Sequence, residues 1–278
     1  MVQLFHQVSD KCSQVVTENY SSSFSSAIRL LHKDLRTPIY NIYGFVRFAD
    51  EIVDTFHEHE KSTLLTQFKQ ETYEALQRGI SLNPILNSFQ RTVREYNIET
   101  SLIDSFFRSM ELDLSKKEYD QAEYEEYVYG SAETVGLMCL NVFCEGNLDL
   151  YDQLKNPARS LGAAFQKVNF LRDFKADYNG LSRIYFPGCD FHNFSESQKR
   201  KIEDDIEKDF QAALQGILRL PVKARFGVYV AYKYYYSLFS KIKNTHSTRV
   251  LKERIRIPNY VKVLIILRAG LKNQFHLI

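Results

Sequence analysis

Polar side chains follow one line along each of two otherwise apolar stretches. The first stretch, residues 43–54 (YGFVRFADEIVD), carries Tyr43, Arg47, Asp50 and Asp54. The second, residues 166–177 (QKVNFLRDFKAD), carries Gln166, Asn169, Asp173 and Asp177. Within each set, successive members are three or four residues apart, which places them on one face of an α-helix. Each stretch is therefore predicted to be a core helix with an acidic stripe, and we call the two the first and second acid helices.

The two acidic stripes need a source of positive charge. Unpaired carboxylates on core helices lose solvation, and four aspartates that face one another repel strongly at low dielectric. A divalent cation removes both penalties. Hard oxygen ligands suit Mg²⁺, which takes one or two carboxylates and completes its shell with waters and phosphates. The pattern predicts that the helices face each other across a Mg²⁺ site that takes a phosphorylated substrate.

Capping signals set the predicted bounds of these helices. Thr37-Pro38 is typical of an N-cap followed by proline at the first helical position, and the helix is expected to end near residues 57–59. The second acid helix is predicted to run from about residue 158 to 178, after a break over 146–157. Asn179-Gly180 is expected to end it.

The rest of the pattern is also helical. Residues 1–35 are interrupted by a serine-rich run at 20–26, which is either a cap and loop or a set of hydroxyls that holds a diphosphate. Residues 60–115 predict two or three amphipathic helices, and the aromatic-rich segment 221–243 predicts a core helix. The chain is predicted to be all-α, with residues 1–278 in one domain.

Composition narrows the class of protein. The 278 residues are 44% hydrophobic, with only 11 glycines and 6 prolines, which favours one large domain without a linker. A net charge of +2 gives no nucleic-acid footprint, and four scattered cysteines indicate neither a disulfide framework nor a zinc site. No signal peptide or membrane span is evident, so a cytoplasmic location is expected. The last apolar run either packs on the core or touches a membrane surface.

Other residues leave alternatives open. Gly130 and Gly136 serve either tight helix packing or a cavity beside the helix. Asp113 faces either the cavity or solvent. The pair Asp54-x-x-His57 resembles carboxylate di-iron helices, but the second acid helix has no matching pair, which disfavours that interpretation.

Several segments, in order, resemble the squalene/phytoene synthase family over nearly the whole chain. They are YSSSFS (20–25), IYGFVRFADEIVD (42–54), YVYGSAETVGLM (127–138), AFQKVNFLRDFKAD (164–177) and RIYFP (183–187). A single Asp-x-x-x-Asp pair is common on exposed helices and carries little weight. The last two segments together resemble a specific family pattern, and the ordered set is strong.

The resemblance implies an all-α isoprenoid synthase fold with a central cavity. It implies head-to-head condensation of two allylic prenyl diphosphates through a cyclopropylcarbinyl diphosphate, with two or three Mg²⁺ ions. Bacterial phytoene synthases are the most similar, so two geranylgeranyl diphosphates are expected to give phytoene, without NADPH. The alternative is condensation of two farnesyl diphosphates to squalene or dehydrosqualene. Peripheral membrane association and downstream carotenoid enzymes as partners are also expected.

The resemblance also implies roles for individual residues. The expected metal ligands are Asp50, Asp54, Asn169, Asp173 and Asp177, and Gln166 is expected to support them. The side chains expected to bind diphosphate oxygens are Arg47, Arg172 and Arg254. Ser21 and Ser23 are expected to lie at the diphosphate of the partner substrate. Tyr43, Tyr127 and Tyr235 are expected at the reacting centre, with Tyr127 a candidate for proton transfer or cation stabilisation, and Phe24 in the cavity wall. The chain departs from relatives at Tyr20, where many have histidine, and at Glu51, where many have aspartate.

Two other classes of function are disfavoured. A non-catalytic relative would have lost acids from one motif, and both motifs are intact. A terpene cyclase or a chain-elongating prenyltransferase would carry a different second acidic motif, and neither of those motifs is present.

Overall fold

Helices account for most of the chain, as the spacing of apolar positions predicts. A computed structural model describes residues 2–181, 183–190 and 193–274, and within these ranges no β-strand forms. The α-helices are α1 (Val2–Tyr20), α2 (Ser22–Ile28), α3 (Lys33–Asp54), α4 (Lys61–Arg78), α5 (Pro84–Glu95), α6 (Thr100–Ser115), α7 (Gln121–Val128), α8 (Thr134–Cys144), α9 (Leu148–Ala176), α10 (Glu196–Ile217), α11 (Val222–Lys243), α12 (Ser247–Val250) and α13 (Asn259–Gln274). Two π-helical turns, Tyr129–Glu133 and Asp177–Leu181, precede α8 and follow α9. The predicted all-α class is confirmed.

Stacked aromatic rings fix the inner face of α3, the first acid helix. Phe45 lies face to face with Phe89 of α5, with ring centroids 3.8 Å apart and planes 3° apart. Phe68, Phe106 and Phe107 surround Phe45 from α4 and α6. Phe45 is fully buried, and on a helix it points away from the stripe that begins at residue 43. The core therefore holds one face of α3 and turns its acidic stripe toward the other side.

The predicted bounds of α3 are wrong at both ends. The helix begins at Lys33 rather than at Pro38, which lies inside it and has no N–H to donate. The extra turn is retained because it buries Leu35 completely in the core. At the other end the helix stops at Asp54, and Lys61 Nζ caps the Val53 carbonyl at 2.9 Å. Because α3 ends at Asp54, His57 lies outside the helix, and the two residues do not form the helical Asp-x-x-His pair of a di-iron site.

The second acid helix, α9, is longer than predicted. It begins at Leu148, and Pro157 lies inside it rather than in a break. The proline ring fits against α10 where Gly216 has no side chain, since a Cβ on that glycine would lie 2.2 Å from the proline Cβ. Asn179-Gly180, expected to end the helix directly, lies in the π-helical turn that follows Ala176. Packing against α10 thus outweighs the lost backbone hydrogen bond.

Both roles weighed for the small residues near α8 occur. A Cβ on Gly130 would lie 2.2 Å from the Ser105 carbonyl oxygen, so this glycine allows α6 to approach closely. Gly136 approaches the Ala158 carbonyl oxygen in the same way and also lines the central cavity. The prediction for residues 60–115 is confirmed as the three helices α4, α5 and α6.

We expect Phe45→Ala to lower the free energy of unfolding by about 3–5 kcal/mol, because it removes a fully buried ring from a stacked cluster. Denaturant unfolding followed by circular dichroism measures the change. Phe48→Ala is the matched control, because Phe48 lies on the same helix but is 36% exposed. Equal losses for the two variants would contradict this description of the core.

Candidate functional site

A cavity of about 500 Å³ lies between the two acid helices, and α2, α8, α10 and α11 complete its walls. Along α3 and α9 the lining changes character. The part nearer each N-terminus is apolar: Ile39, Ile42, Leu154, Pro157 and Leu161. The part nearer each C-terminus is largely polar: Tyr43, Arg47, Asp50, Gln166, Asn169 and Arg172. The cavity therefore has an apolar end and a polar end, which suits an amphiphilic ligand.

The acidic stripes come together at the polar end. Asp50 lines the cavity, and burial, together with the charge of Asp54, raises its pKa to about 8. Burial, followed by the charges of Asp173 and Asp54, raises the pKa of Asp177 to about 7. Aspartates from both helices thus act on Asp177. Both pKa values are raised because the nearby cationic side chains do not offset the burial and mutual repulsion of these two carboxylates.

Arginines at this end already have carboxylate partners. Arg172 pairs with Asp173, and Arg254 Nε lies 2.7 Å from the same side chain. Arg47 pairs with Glu51, one turn along α3, so the glutamate that stands where many relatives have aspartate partly neutralises the charge of Arg47. Burial acts to lower the pKa of Arg47, but the charges of Asp50 and Glu51 raise it.

Four buried side-chain atoms of the described residues lack a hydrogen-bond partner: Arg47 Nε and Asn169 Oδ1 at the cavity, and Asn41 Oδ1 and Gln90 Oε1 outside it. Among the residues that the structure describes, nothing donates to Asn169 Oδ1 and nothing accepts from Arg47 Nε. Buried polar atoms are nearly always paired, so each unpaired atom at the cavity indicates a missing partner. Asn169 Oδ1 and the neighbouring carboxylates fit a hard cation, and Arg47 Nε fits an anion. The donor set therefore fits Mg²⁺ together with a phosphate group.

The carboxylates do not form a closed metal cage. In the described part of the chain, no three side chains of His, Cys, Asp or Glu converge as a metal-binding group. Such an open arrangement is typical of Mg²⁺ sites, because Mg²⁺ takes few protein ligands and completes its coordination shell with water and substrate phosphates.

Asp113, left between cavity and solvent by the sequence, is the centre of a buried network. Its Oδ2 accepts from the Tyr127 hydroxyl at 2.7 Å, and its Oδ1 accepts from the Tyr119 and Tyr185 hydroxyls at 3.3 Å each. Arg183 Nη1 lies 3.2 Å from Asp113 Oδ1, and Nη2 donates to the Asp113 backbone carbonyl at 2.6 Å. Burial raises the pKa of Asp113 to about 6, although Arg183 opposes the shift.

This network corrects the expected position of Tyr127. That side chain is 3% exposed and does not line the cavity, because its hydroxyl points to Asp113. Arg183 Nη1 also donates to Asp54 Oδ1 at 3.1 Å, so the network holds one member of the first acidic stripe. The RIYFP segment was the sequence signal for Arg183 and Tyr185, whereas no local pattern marked Asp113.

Aromatic rings form the wall beside the polar end. The Phe24 centroid lies 5.8 Å from that of Tyr43 and 5.7 Å from that of Tyr235, and Tyr235 stacks on Phe165 at 3.9 Å. Burial raises the pKa of Tyr43 to about 12, so its hydroxyl stays protonated. The π-faces of such rings attract positive charge. Tyr43, Tyr235 and Phe24 thus lie together at the cavity, as expected.

The capping role considered for the serine-rich run is confirmed, and the diphosphate-binding role stays a prediction. Ser21 caps α2, because its Oγ accepts from the Phe24 N–H at 3.2 Å. Ser21 and Ser23 also line a smaller polar pocket of about 380 Å³. Arg172 and Arg254 line both this pocket and the main cavity, so the two spaces share their cationic wall.

We expect the metal-free protein to lose stability as the pH rises from about 5 to about 8. In the unfolded chain the carboxyl groups of Asp50 and Asp177 release their protons near pH 4, whereas in the folded protein they keep them to about pH 8 and about pH 7. The folded state binds more protons over this range, so the free energy of unfolding falls with rising pH. Asp50→Asn removes the Asp50 share and should flatten the slope.

Melting temperatures measured across this range in a chelator test the expectation. Asp152→Asn is the control, because Asp152 lies on α9 with its side chain 67% exposed. Its curve should follow the wild type. Parallel curves for wild type and Asp50→Asn would show that Asp50 is not an uncompensated buried acid.

The chain is similar in sequence to three synthases of known name. A phytoene synthase from Arthrospira platensis is 25% identical, covering 94% of this chain and 92% of that protein. A presqualene diphosphate synthase from Rhodopseudomonas palustris is 29% identical over 60% of this chain and 58% of that protein. A 4,4'-diapophytoene synthase from Staphylococcus haemolyticus is 26% identical over 71% of this chain and 67% of that protein.

Solved structures show the same fold. A dehydrosqualene synthase superposes with a TM-score of 0.84 at 20% identity, covering 97% of this chain and 98% of that one. The fold is the single-domain isoprenoid synthase fold expected from the sequence. The model of the squalene/phytoene synthase family matches residues 17–261. The chain therefore belongs to the squalene/phytoene synthase family, whose members are prenyltransferases that join two prenyl diphosphates head to head.

Proposed function

We propose that this chain, acting as one domain over residues 1–278, condenses two molecules of geranylgeranyl diphosphate head to head into phytoene. The reaction depends on Mg²⁺, needs no NADPH and passes through a cyclopropylcarbinyl diphosphate. The phytoene synthase of Arthrospira platensis supports this product, because the similarity extends over nearly the whole of both chains. The hydrocarbon would then pass to downstream carotenoid enzymes.

One observation carries the proposal: the unpaired atoms Asn169 Oδ1 and Arg47 Nε lie with Asp50 at one end of a cavity whose other end is apolar. A diphosphate fits the polar end, and a prenyl chain fits the apolar end. Metal binding would fall to Asp50, Asp54, Asn169, Asp173 and Asp177. Bound there, Mg²⁺ supplies Lewis-acid stabilisation of charge on a departing diphosphate.

The remaining residues act on the substrate directly. Arg47, Arg172 and Arg254 hold diphosphate oxygens, and Gln166 supports that end of the site. Ser21 and Ser23 lie beside the smaller pocket, where the diphosphate of the second substrate would bind. The two positions share the arginine wall, which would place the C1 cation of one substrate near the C2–C3 double bond of the other.

The aromatic wall stabilises the allylic cation. Phe24, Tyr43 and Tyr235 present rings at the boundary between the polar and apolar ends, where positive charge develops once the diphosphate leaves. The apolar end excludes water, which would otherwise capture the cation. The Tyr127 hydroxyl donates a hydrogen bond to Asp113 Oδ2, and we assign Tyr127 to positioning Asp113 and Arg183 rather than to the cavity surface.

The alternative product is a C30 hydrocarbon from two farnesyl diphosphates. The 4,4'-diapophytoene synthase relative and the dehydrosqualene synthase structure favour this candidate. Both products use the same polar end and differ in the length of chain that the apolar end accepts.

A product assay tests the proposal. Purified protein is incubated with Mg²⁺ and either geranylgeranyl or farnesyl diphosphate, with and without NADPH, and the hydrocarbon is identified by mass spectrometry. We expect a C40 product from the C20 substrate, independent of NADPH. A C30 product from the C15 substrate alone would replace phytoene by squalene or dehydrosqualene, with NADPH dependence deciding between them. No product from either substrate would contradict the proposed reaction.

Asp173→Asn should lower turnover at least about 100-fold while leaving the melting temperature within a few degrees of the wild type. The reason is that Asp173 lies among the proposed metal ligands and is not part of the core. Asp152→Asn, on the exposed face of the same helix, should retain wild-type turnover. Near wild-type activity in Asp173→Asn would remove this carboxylate from the metal site.

A further inference from the structure

The outer face of α13 is apolar and uncovered by the described residues. Five side chains form this outer stripe at helical spacing and are between 45% and 67% exposed: Tyr260, Val263, Leu264, Leu267 and Leu271. The opposite face packs against the protein, where Ala269 is buried and α13 contacts α11. Water-soluble monomers rarely expose contiguous apolar patches of this kind, so the stripe indicates a surface that something covers.

The same helix is basic and has no acid. Residues 259–274 contain Lys262, Arg268 and Lys272, and no aspartate or glutamate. The segment that leads into the helix, residues 249–258, adds four more bases and one acid. Arg268 and Lys272 are exposed, and helical spacing places both along the same side of the outer stripe. An apolar stripe bordered by cations is complementary to a surface that is apolar inside and anionic outside.

The helix lies at the rim of the substrate site. Lys262, in its second turn, donates to Ser22 Oγ at 3.2 Å, and Asn259 and Lys262 line the smaller polar pocket together with Arg254. A surface that docks through α13 would therefore lie close to the smaller polar pocket.

None of the described helices combines the length and the apolarity that crossing a bilayer requires. An amphipathic basic helix with exposed leucines instead lies in the plane of the lipid headgroups. A second copy of the chain fits less well, because stripe-on-stripe packing would bring the cations of two α13 helices together without an acid in either helix to neutralise them.

We propose that the outer stripe of α13 docks on an anionic lipid bilayer and holds the rim of the cavity against it. The physical interaction stands on the exposed stripe and its cations. Its use, which rests on the proposed function, is to let prenyl diphosphate enter from the bilayer and the hydrocarbon product return to it.

Vesicle sedimentation tests the docking without substrate. The protein is mixed with vesicles of phosphatidylcholine, or of equal parts phosphatidylcholine and phosphatidylglycerol. We expect tighter binding to the anionic vesicles and weakening by salt. The double variant Leu264→Ser, Leu267→Ser should bind roughly tenfold more weakly or not at all. Arg268→Glu, Lys272→Glu should lose the preference for anionic vesicles.

Leu82→Ser is the matched control, because Leu82 is 93% exposed but lies between α4 and α5, away from α13. It should bind vesicles as the wild type does. Absence of vesicle binding by the wild type, or unchanged binding by both double variants, would overturn the proposal. Sedimentation velocity adds a third decisive result: a wild-type dimer that the serine variant dissolves would assign the stripe to a second copy.

Turnover with detergent-dispersed substrate separates this inference from the proposed function. The serine variant should keep wild-type turnover there, since its substitutions lie outside the cavity, and lose turnover only with substrate in vesicles. If no protein turns over any substrate, the proposed reaction fails while the sedimentation result still decides the docking.

Discussion

Repulsion among carboxylates at the polar end of the cavity is the constraint on which the rest of the structure depends. Each nearby arginine already has a carboxylate partner: Arg172 and Arg254 pair with Asp173, Arg183 with Asp54 and Arg47 with Glu51. Even so, the pKa values of Asp50 and Asp177 stay raised. An anion alone would compete with the aspartates for the arginines, and a cation alone would leave those arginines paired as before. When a cation and a diphosphate bind together, the arginine–aspartate ion pairs break. The aspartates then bind the metal and the arginines bind the phosphate oxygens.

Such an exchange needs a scaffold that does not relax to relieve the repulsion. The aromatic cluster around Phe45 fixes the register of α3, and the long packing of α9 against α10 fixes the second stripe. The Asp113 network connects α6 to the segment that carries Arg183 and, through it, to Asp54. Uncompensated charge at the site is thus stabilised by burial elsewhere, which is how strained functional sites persist in folded proteins.

Local patterns predicted the parts of the site that lie on single helices. The stripe spacing placed Tyr43, Arg47 and Asp50 at the cavity from α3, and Gln166 and Asn169 from α9. The helix class followed from the same periodicity. Sequence spacing failed where contacts distant in sequence decide. Pro38 and Pro157 looked like helix boundaries, but burial of Leu35 and the fit against Gly216 keep both prolines inside helices.

The Asp113 network could not be predicted for the same reason. Its members come from α6, α7 and the segment after α9, and only the fold brings them together. Tyr127 was expected at the cavity because its motif is specific, yet the direction of its hydroxyl depends on a partner 14 residues away. Whether a buried atom such as Asn169 Oδ1 lacks a hydrogen-bond partner likewise depends on packing and cannot be read from the sequence.

Binding of inorganic diphosphate, measured by isothermal titration calorimetry with and without Mg²⁺, tests the exchange of ion-pair partners most directly. The account predicts that each ligand alone binds weakly and that Mg²⁺ raises the affinity for diphosphate by about 100-fold or more, a coupling free energy of about 3 kcal/mol. Equal affinity for diphosphate in the presence and absence of Mg²⁺ would contradict it, because the arginines would then bind phosphate without releasing their carboxylates to a metal.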